Sequence, residues 1–285
     1  MQAQSSRELR SRFRQRPTAT HLLRNEPRTA SDRQPPPDRQ PGAANRKPGS
    51  ALQTRVHSLA VFPVSDNQQK AAIPVVTYTL VALNVIVFLW DRHWGLWGPN
   101  VVFADLTMQP NEVMHAIRGS GDFFPLITIF TSMFMHGSVS HILGNMVFLV
   151  VFGATIEQAL GSSRFALYYI LWGVAAAFAQ IYVNPSSSVP TLGASGAIGG
   201  VLGAYFLLFP TNKIEIYVPV LVFLSFVVSA WVLLGLWFLW QILIPQEGVA
   251  NWAHAGGFLA GMLTVLLLGG RKTILKGREE EFDFV

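Results

Sequence analysis

Ser195 stands in Gly193-Ala194-Ser195-Gly196, within a run of apolar residues. His141 and Asn145 stand in a second such run, in His136-Gly-Ser-Val-Ser-His141-Ile-Leu-Gly-Asn145-Met, and His254 in a third, in Ala253-His254-Ala-Gly-Gly257-Phe-Leu-Ala-Gly261. A serine hydroxyl becomes a nucleophile when an imidazole within hydrogen-bond reach takes its proton. The imidazole then returns that proton to a leaving amine, so such a pair suits hydrolysis of an acyl bond. The oxyanion that forms on the way needs donors. The Asn145 amide, a histidine N–H and the unpartnered backbone N–H groups at a helix start can supply them.

These residues need elements to hold them, and the chain offers apolar ones. Of its 285 residues, 51% are hydrophobic and 13% charged, against about 25% charged in soluble domains. The mean hydropathy of +0.36 points to a membrane protein. Six apolar stretches are read as spans, over about 73–90, 139–160, 165–183, 195–209, 226–244 and 252–268. Spans of roughly 17–25 residues cross a hydrocarbon core of about 30 Å, and the fourth is shorter than that. Residues 123–135 are apolar but too short to cross, so an interfacial or re-entrant piece is expected. Residues 214–224, with Pro219, are expected to lead into span five along the membrane surface. The fold class is therefore an all-α, six-helix membrane bundle.

Charge gives the bundle an orientation. Residues 1–70 hold 13 Lys/Arg and 5 Asp/Glu, and the rest of the chain holds 8 and 11. With Pro35-Pro36-Pro37 and few apolar residues, the segment 1–70 reads as a disordered basic extension. It suits an anionic cytoplasmic leaflet. With that segment inside, six spans put both termini inside. Inside segments then carry 19 Lys/Arg, and the outside carries only Arg92 and Arg118, as the positive-inside rule asks. Three regions follow: the extension 1–70, a membrane domain 71–270 and a charged cytoplasmic tail 271–285. Met1–Arg16 is polar and Arg-rich, with no signal-peptide core, and an organelle transit peptide is the alternative reading. The absence of cysteine excludes disulfide and thiolate chemistry.

Orientation turns sequence position into depth. Spans two, four and six all run from outside to inside, and His141, Ser195 and His254 lie near their starts. Asn145, at i+4 from His141, shares its face. Ionisable and polar groups inside a membrane are costly and default to function. The full set within the spans is His141, Asn145, Glu157, Gln180, Ser195, Tyr205, Gln241 and His254. No Asp or Glu within the spans accompanies this set near the outer face, so a serine–histidine dyad is expected rather than a triad with a fixed charge. Gly193 permits an unusual backbone angle before the serine. Gly196 and the further glycines of span four keep it thin, and Gly257-x-x-x-Gly261 is a small-residue packing motif. A short span four that starts below the surface leaves a hollow that water can reach.

Together the three motifs resemble the rhomboid intramembrane serine proteases, over about Ile73 to Leu268. That resemblance implies Ser195 as nucleophile, His254 as general base, and an oxyanion hole of Asn145, His141 and the Ser195 amide. It implies single-span membrane proteins as substrates, no cofactor and no metal. Span five and the loop Pro245–Asn251 resemble the family's lateral gate and cap. Glu157 matches a family acid with a structural role, read here as capping or as pairing with Arg164. His136, Gly193, Gly196, Gly257 and Gly261 take supporting roles. In some members an aromatic residue one turn after the nucleophile stacks on the histidine; here that position is Gly199. The loop Asp91–Asp122 lacks a clear Trp-Arg pair that some members carry.

The alternative is an inactive relative that binds membrane proteins without cutting them. A zinc protease using His136, His141 and His254 is disfavoured because H-E-x-x-H is absent. A proton relay is disfavoured because no internal repeat is visible. A bacterial inner membrane is the expected location, with an organelle inner membrane as the alternative. The lipid bilayer is the expected surrounding and no nucleic-acid partner is expected.

Overall fold

The computed structural model describes residues 62–66, 68, 72–97, 104–119, 121–217, 225–244, 246, 248–276 and 282. A short strand, β1 (Phe62–Ser65), precedes the first long helix, α1 (Val75–Asp91). Two short helices follow, α2 (Pro110–Ile117) and α3 (Phe124–Thr131), each with a proline in its first turn, where the missing N–H has no intrahelical partner to lose. A tight turn, Ser132–Phe134, leads from α3 towards α4 (Val139–Phe148). A π-helical turn, Leu149–Gly153, joins α4 to α5 (Ala154–Leu160). Gly161, at φ +82°, separates α5 from α6 (Ser162–Val183). Then come α7 (Ser195–Leu208), β2 (Lys213–Tyr217), β3 (Ser225–Ser229), α8 (Ala230–Leu243), α9 (Asn251–Leu267) and α10 (Gly270–Ile274).

Val139–Leu160 and Ser162–Val183 are long and apolar enough to cross a membrane, by length and composition. The other four expected spans fall on α1, α7, α8 and α9, which are shorter. α7 is the central helix, buried at every residue from Gly196 to Tyr205. α6 and α9 flank it, and the Trp172 indole N–H donates to Thr264 Oγ1 at 2.9 Å to join those two. α8 is peripheral, with Trp231, Leu236, Leu239 and Leu243 exposed.

The fold is mostly helical, consistent with an all-α membrane bundle, and carries one small antiparallel sheet of β1, β2 and β3 in that order. Other local expectations are corrected. Lys213–Tyr217 is a strand rather than the start of a surface path into span five. The fifth helix begins at Ala230, not 226, because Ser225–Ser229 pairs with β2 in full register. Phe226, Val227 and Val228 are aromatic and β-branched, residue types that fit a pleated ladder as well as an apolar helix. The strand β1 also falls within the expected disordered segment 1–70. Residues 1–61 of that segment lie outside the described residues. Asp66, just after β1, is buried and accepts hydrogen bonds from the Thr155 hydroxyl and, at 3.4 Å, the Tyr205 hydroxyl.

Glu157 holds the start of α1. Its carboxylate accepts from the Val76 N–H at 2.9 Å and from the Thr77 N–H and hydroxyl, both at 2.8 Å. Ser162 Oγ donates to it at 2.7 Å. A carboxylate at a helix N-terminus satisfies orphan donors and complements the helix dipole. Of the two roles expected for Glu157, the geometry is that of capping; among the described residues no ion pair joins it to Arg164.

Candidate active site

The approach to Ser195 is fixed by backbone bonds. Met108 and Thr191 exchange N–H···O bonds at 3.1 and 2.7 Å, and the Gly193 N–H donates to Ser132 O at 2.8 Å. Gly193 has φ +115°, a conformation that L side chains rarely adopt. A Cβ there would also come within 2.7 Å of His141 Nε2 and 3.5 Å of Asn145 Nδ2. The glycine therefore lets both polar side chains close onto the segment just before Ser195. Ser195 itself is the first residue of α7, so its backbone N–H has no intrahelical acceptor.

His254, on the first turn of α9, reaches Ser195 across the bundle. Its Nε2 lies 2.8 Å from Ser195 Oγ. Its Nδ1 lies 2.8 Å from Gln241 Oε1 on α8. The Trp237 ring lies 5.8 Å from the His254 ring, tilted by 32°. This answers what stands in for an aromatic at Gly199. A Cβ at Gly199 would sit 2.7 Å from the His254 carbonyl oxygen, so α7 passes too close to α9 for any side chain. The support for the imidazole comes from α8 instead.

Opposite this pair stand His141 and Asn145, one turn apart on α4. Ser138 caps α4 by accepting from the His141 N–H at 3.1 Å. Asn145 Nδ2 donates to His136 Nε2 at 2.9 Å, and His136 Nδ1 donates to Phe134 O at 3.2 Å. Burial, and then the neighbouring His141, lower the His136 pKa to about 3, so this ring is neutral at physiological pH. Its Nδ1–H tautomer leaves Nε2 to accept. Buried Arg92 backs the same loop, donating to Gly137 O at 2.8 Å and His136 O at 3.3 Å.

A cavity of about 380 Å³ opens between the two halves, lined by His141, Asn145, Ser195 and His254 together with Phe148, Leu192, Ile198, Leu202 and Trp237. A carbonyl held there can meet the serine oxygen on one side and amide or imidazole N–H donors on the other. Gly257 and Gly261 keep α9 against α7: a Cβ on Gly257 would strike Gly196 O, and one on Gly261 would strike Gly200 O; Gly196 keeps α7 against α6, since a Cβ there would lie 2.7 Å from the Ala176 Cβ. Among the described residues, no group of three or more His, Asp or Glu is placed to hold a metal ion.

The profile of the Rhomboid domain matches residues 124–271, which contain His136, His141, Asn145, Ser195, Gln241 and His254. The chain belongs to the rhomboid family. Rhomboid proteins are integral membrane proteins and typically intramembrane proteases, although some members are inactive. The chain is similar to RHOMBOID-like protein 1 of Arabidopsis thaliana, 33% identical over 47% of this chain and 32% of that protein. It is similar to Rhomboid protease GluP of Bacillus subtilis (strain 168), 25% identical over 75% of this chain and 40% of that protein. Rhomboid protein 1, mitochondrial, of Saccharomyces cerevisiae is 33% identical over 65% of this chain and 51% of that protein. The chain thus spans about a third to a half of the length of these rhomboid relatives.

The structure brings together all four residues that the sequence singled out, with His136 beside Asn145. Sequence reasoning missed Arg92 and the place of Gln241. Gln241 was one of the polar residues within the spans, with no role given. Its signal was adjacency: it lies in the last turn of α8, and one short loop separates that end from the start of α9, where His254 stands.

Proposed function

We propose that this rhomboid-family chain is an intramembrane serine endopeptidase that works through a Ser195–His254 dyad. Six spans, with both termini inside, would put the dyad at the outer mouth of α7. The observation that carries the reading is the 2.8 Å contact of Ser195 Oγ with His254 Nε2 at the wall of a cavity. The Ser195 oxygen attacks a peptide carbonyl carbon while its proton passes to His254 Nε2. Negative charge on the carbonyl oxygen is met by the Ser195 N–H, the Asn145 amide and the His141 ring. His254 gives the proton to the leaving nitrogen as the C–N bond breaks, leaving an acyl-serine. Water, deprotonated by His254, then cleaves that ester, and the proton returns to Ser195.

The substrates in this reading are single-span membrane proteins, cut next to the membrane segment. A bacterial inner membrane is the proposed location, and an organelle inner membrane fits the mitochondrial relatives. The test is cleavage of a labelled single-span protein by purified protein in liposomes. Wild type should cut it, and a serine-reactive phosphonate should stop the reaction. Ser195→Ala and His254→Ala should each be inactive. Cleavage that persists in Ser195→Ala would sink the proposal, and binding without cutting by wild type would make this an inactive member.

A further inference from the structure

We propose that Gln241 is the positioning residue of the base: its amide oxygen selects the tautomer and orientation of His254. The inference rests on the dyad reading and extends it to a third residue. For His254 Nε2 to take the serine proton, the ring must carry its own proton on Nδ1. An Nδ1–H turned into a protein interior needs an acceptor. Gln241 Oε1 stands there at 2.8 Å. When the ring becomes an imidazolium during attack, the same bond becomes charge-assisted and stronger, so it favours the transition state over the resting state.

The choice of an amide has a physical reason. A carboxylate would bind the imidazolium more strongly, but burying it within a membrane bundle carries a desolvation cost of several kcal/mol. Glutamine supplies the acceptor without the charge. Gln241 is only 5% exposed, and the other buried residues of α8, Ala230 and Leu234, are apolar. The amide is therefore the one polar group that α8 buries among its described residues, and it meets the base.

The bond also crosses between helices. Gln241 is in the last turn of α8 and His254 in the first turn of α9. Asn251 Nδ2 strengthens the junction by donating to Gln241 O at 3.3 Å and Ile244 O at 3.4 Å. A hydrogen bond weakens steeply once it is stretched by about 1 Å. The orientation of His254 therefore depends on α8 staying in its seat, although α8 is a peripheral helix.

The test compares wild type with Gln241→Met, Gln241→Glu and Ser195→Ala, all as full-length protein in liposomes. Methionine keeps the length and volume but removes the strong acceptor, and it suits a membrane helix. Glutamate, kept neutral by the cost of burying its charge, restores a carbonyl acceptor at the same place. Two rates are read: cleavage of a single-span substrate, with kcat and KM separated, and labelling of Ser195 by a small phosphonate. Gln241→Met should lower kcat about 10- to 100-fold, at or below the lower end of the roughly 10²–10⁴-fold that general-base catalysis contributes, because the base itself is kept. KM should stay within about twofold, and phosphonate labelling should slow by the same factor as kcat. Gln241→Glu should recover most of both rates. A residue that only packed α8 would change KM or the thermal midpoint and leave labelling untouched. Wild-type labelling in Gln241→Met, or a loss that Gln241→Glu does not repair, overturns the proposal. Loss of cleavage in Ser195→Ala with full activity in Gln241→Met overturns this inference alone. Cleavage by Ser195→Ala overturns the dyad on which it rests.

Discussion

Asn145 Nδ2 donates to His136 Nε2 across 2.9 Å, and the His136 ring is locked in turn by its Nδ1–H bond to Phe134 O. The amide of Asn145 carries two N–H groups. One is held by His136, which leaves the other for the cavity that Asn145 lines. In the proposed reaction His136 would thus set where the Asn145 donor points. His136→Phe should keep the ring volume and free the amide. The expected result is a fall in kcat of about 10-fold, smaller than the about 100-fold or more for losing a donor outright. Asn145→Ala measured in parallel sets that ceiling, and equal kcat in wild type and His136→Phe would remove His136 from the site.

Burial of His136 also predicts how stability follows pH. Its folded pKa is about 3, against 6.5 for the free side chain. Between those values the unfolded chain holds a proton that the folded ring refuses. Stability from this site is therefore intact above about pH 6.5 and falls as pH drops towards 3, by up to about 1.4 kcal/mol per unit. Thermal unfolding in detergent at pH 7.5, 6 and 4.5 should show the midpoint decreasing. His136→Phe should flatten that slope. An unchanged slope in the variant would mean that other groups carry the dependence.

Glu157 gives a prediction of the opposite kind, affecting stability and not chemistry. It accepts two backbone N–H bonds at the start of α1 and two hydroxyl bonds. Glu157→Ala leaves the Val76 and Thr77 N–H groups without their acceptor inside the protein. The cost should be about 1.5–3 kcal/mol, the range for hydrogen bonds to a charged group. Glu157→Gln should retain part of that stability. The kcat of whatever fraction stays folded should match wild type, and a specific loss of kcat would move Glu157 from structure to catalysis.

Much of the candidate site was legible because membrane helices are chemically plain. In an apolar run a serine, a histidine or an asparagine is conspicuous, and shared depth groups those residues before any contact is known. Some helix bounds were legible for the same reason: Val139–Leu160 and Ser195–Leu208 are helical over the stretches that the apolar texture marks. The sheet was not. Phe226-Val227-Val228 is as apolar as a span, and the pairing of Ser225–Ser229 with Lys213–Tyr217 is a long-range choice that local hydropathy does not encode. Gln241 was visible as a polar residue but silent as a partner. Its meaning arises only when the end of α8 is laid beside the start of α9.

The α7–α9 contact yields the last prediction, because two glycines in helices should respond in opposite directions to the same change. The Cα of Gly257 packs on the Gly196 carbonyl so closely that a Cβ would collide with backbone, which cannot turn aside as a side chain can. Gly257→Ala must therefore push α9 away from α7, and with it His254 from Ser195. Overpacking of this kind costs about 1–3 kcal/mol, and activity should fall further than stability because the 2.8 Å serine–histidine contact depends on that separation. Gly235, within α8, is different. A Cβ there would meet Phe206 Cε2 at 3.6 Å, an ordinary contact. Gly235→Ala should stabilise the helix by about 0.5–1 kcal/mol through lower backbone entropy and leave the dyad in place. Thermal midpoints and phosphonate labelling rates of the two variants test both halves. A Gly257→Ala protein as stable and reactive as wild type would show that α7 and α9 are not held at the distance on which the Ser195–His254 pair depends.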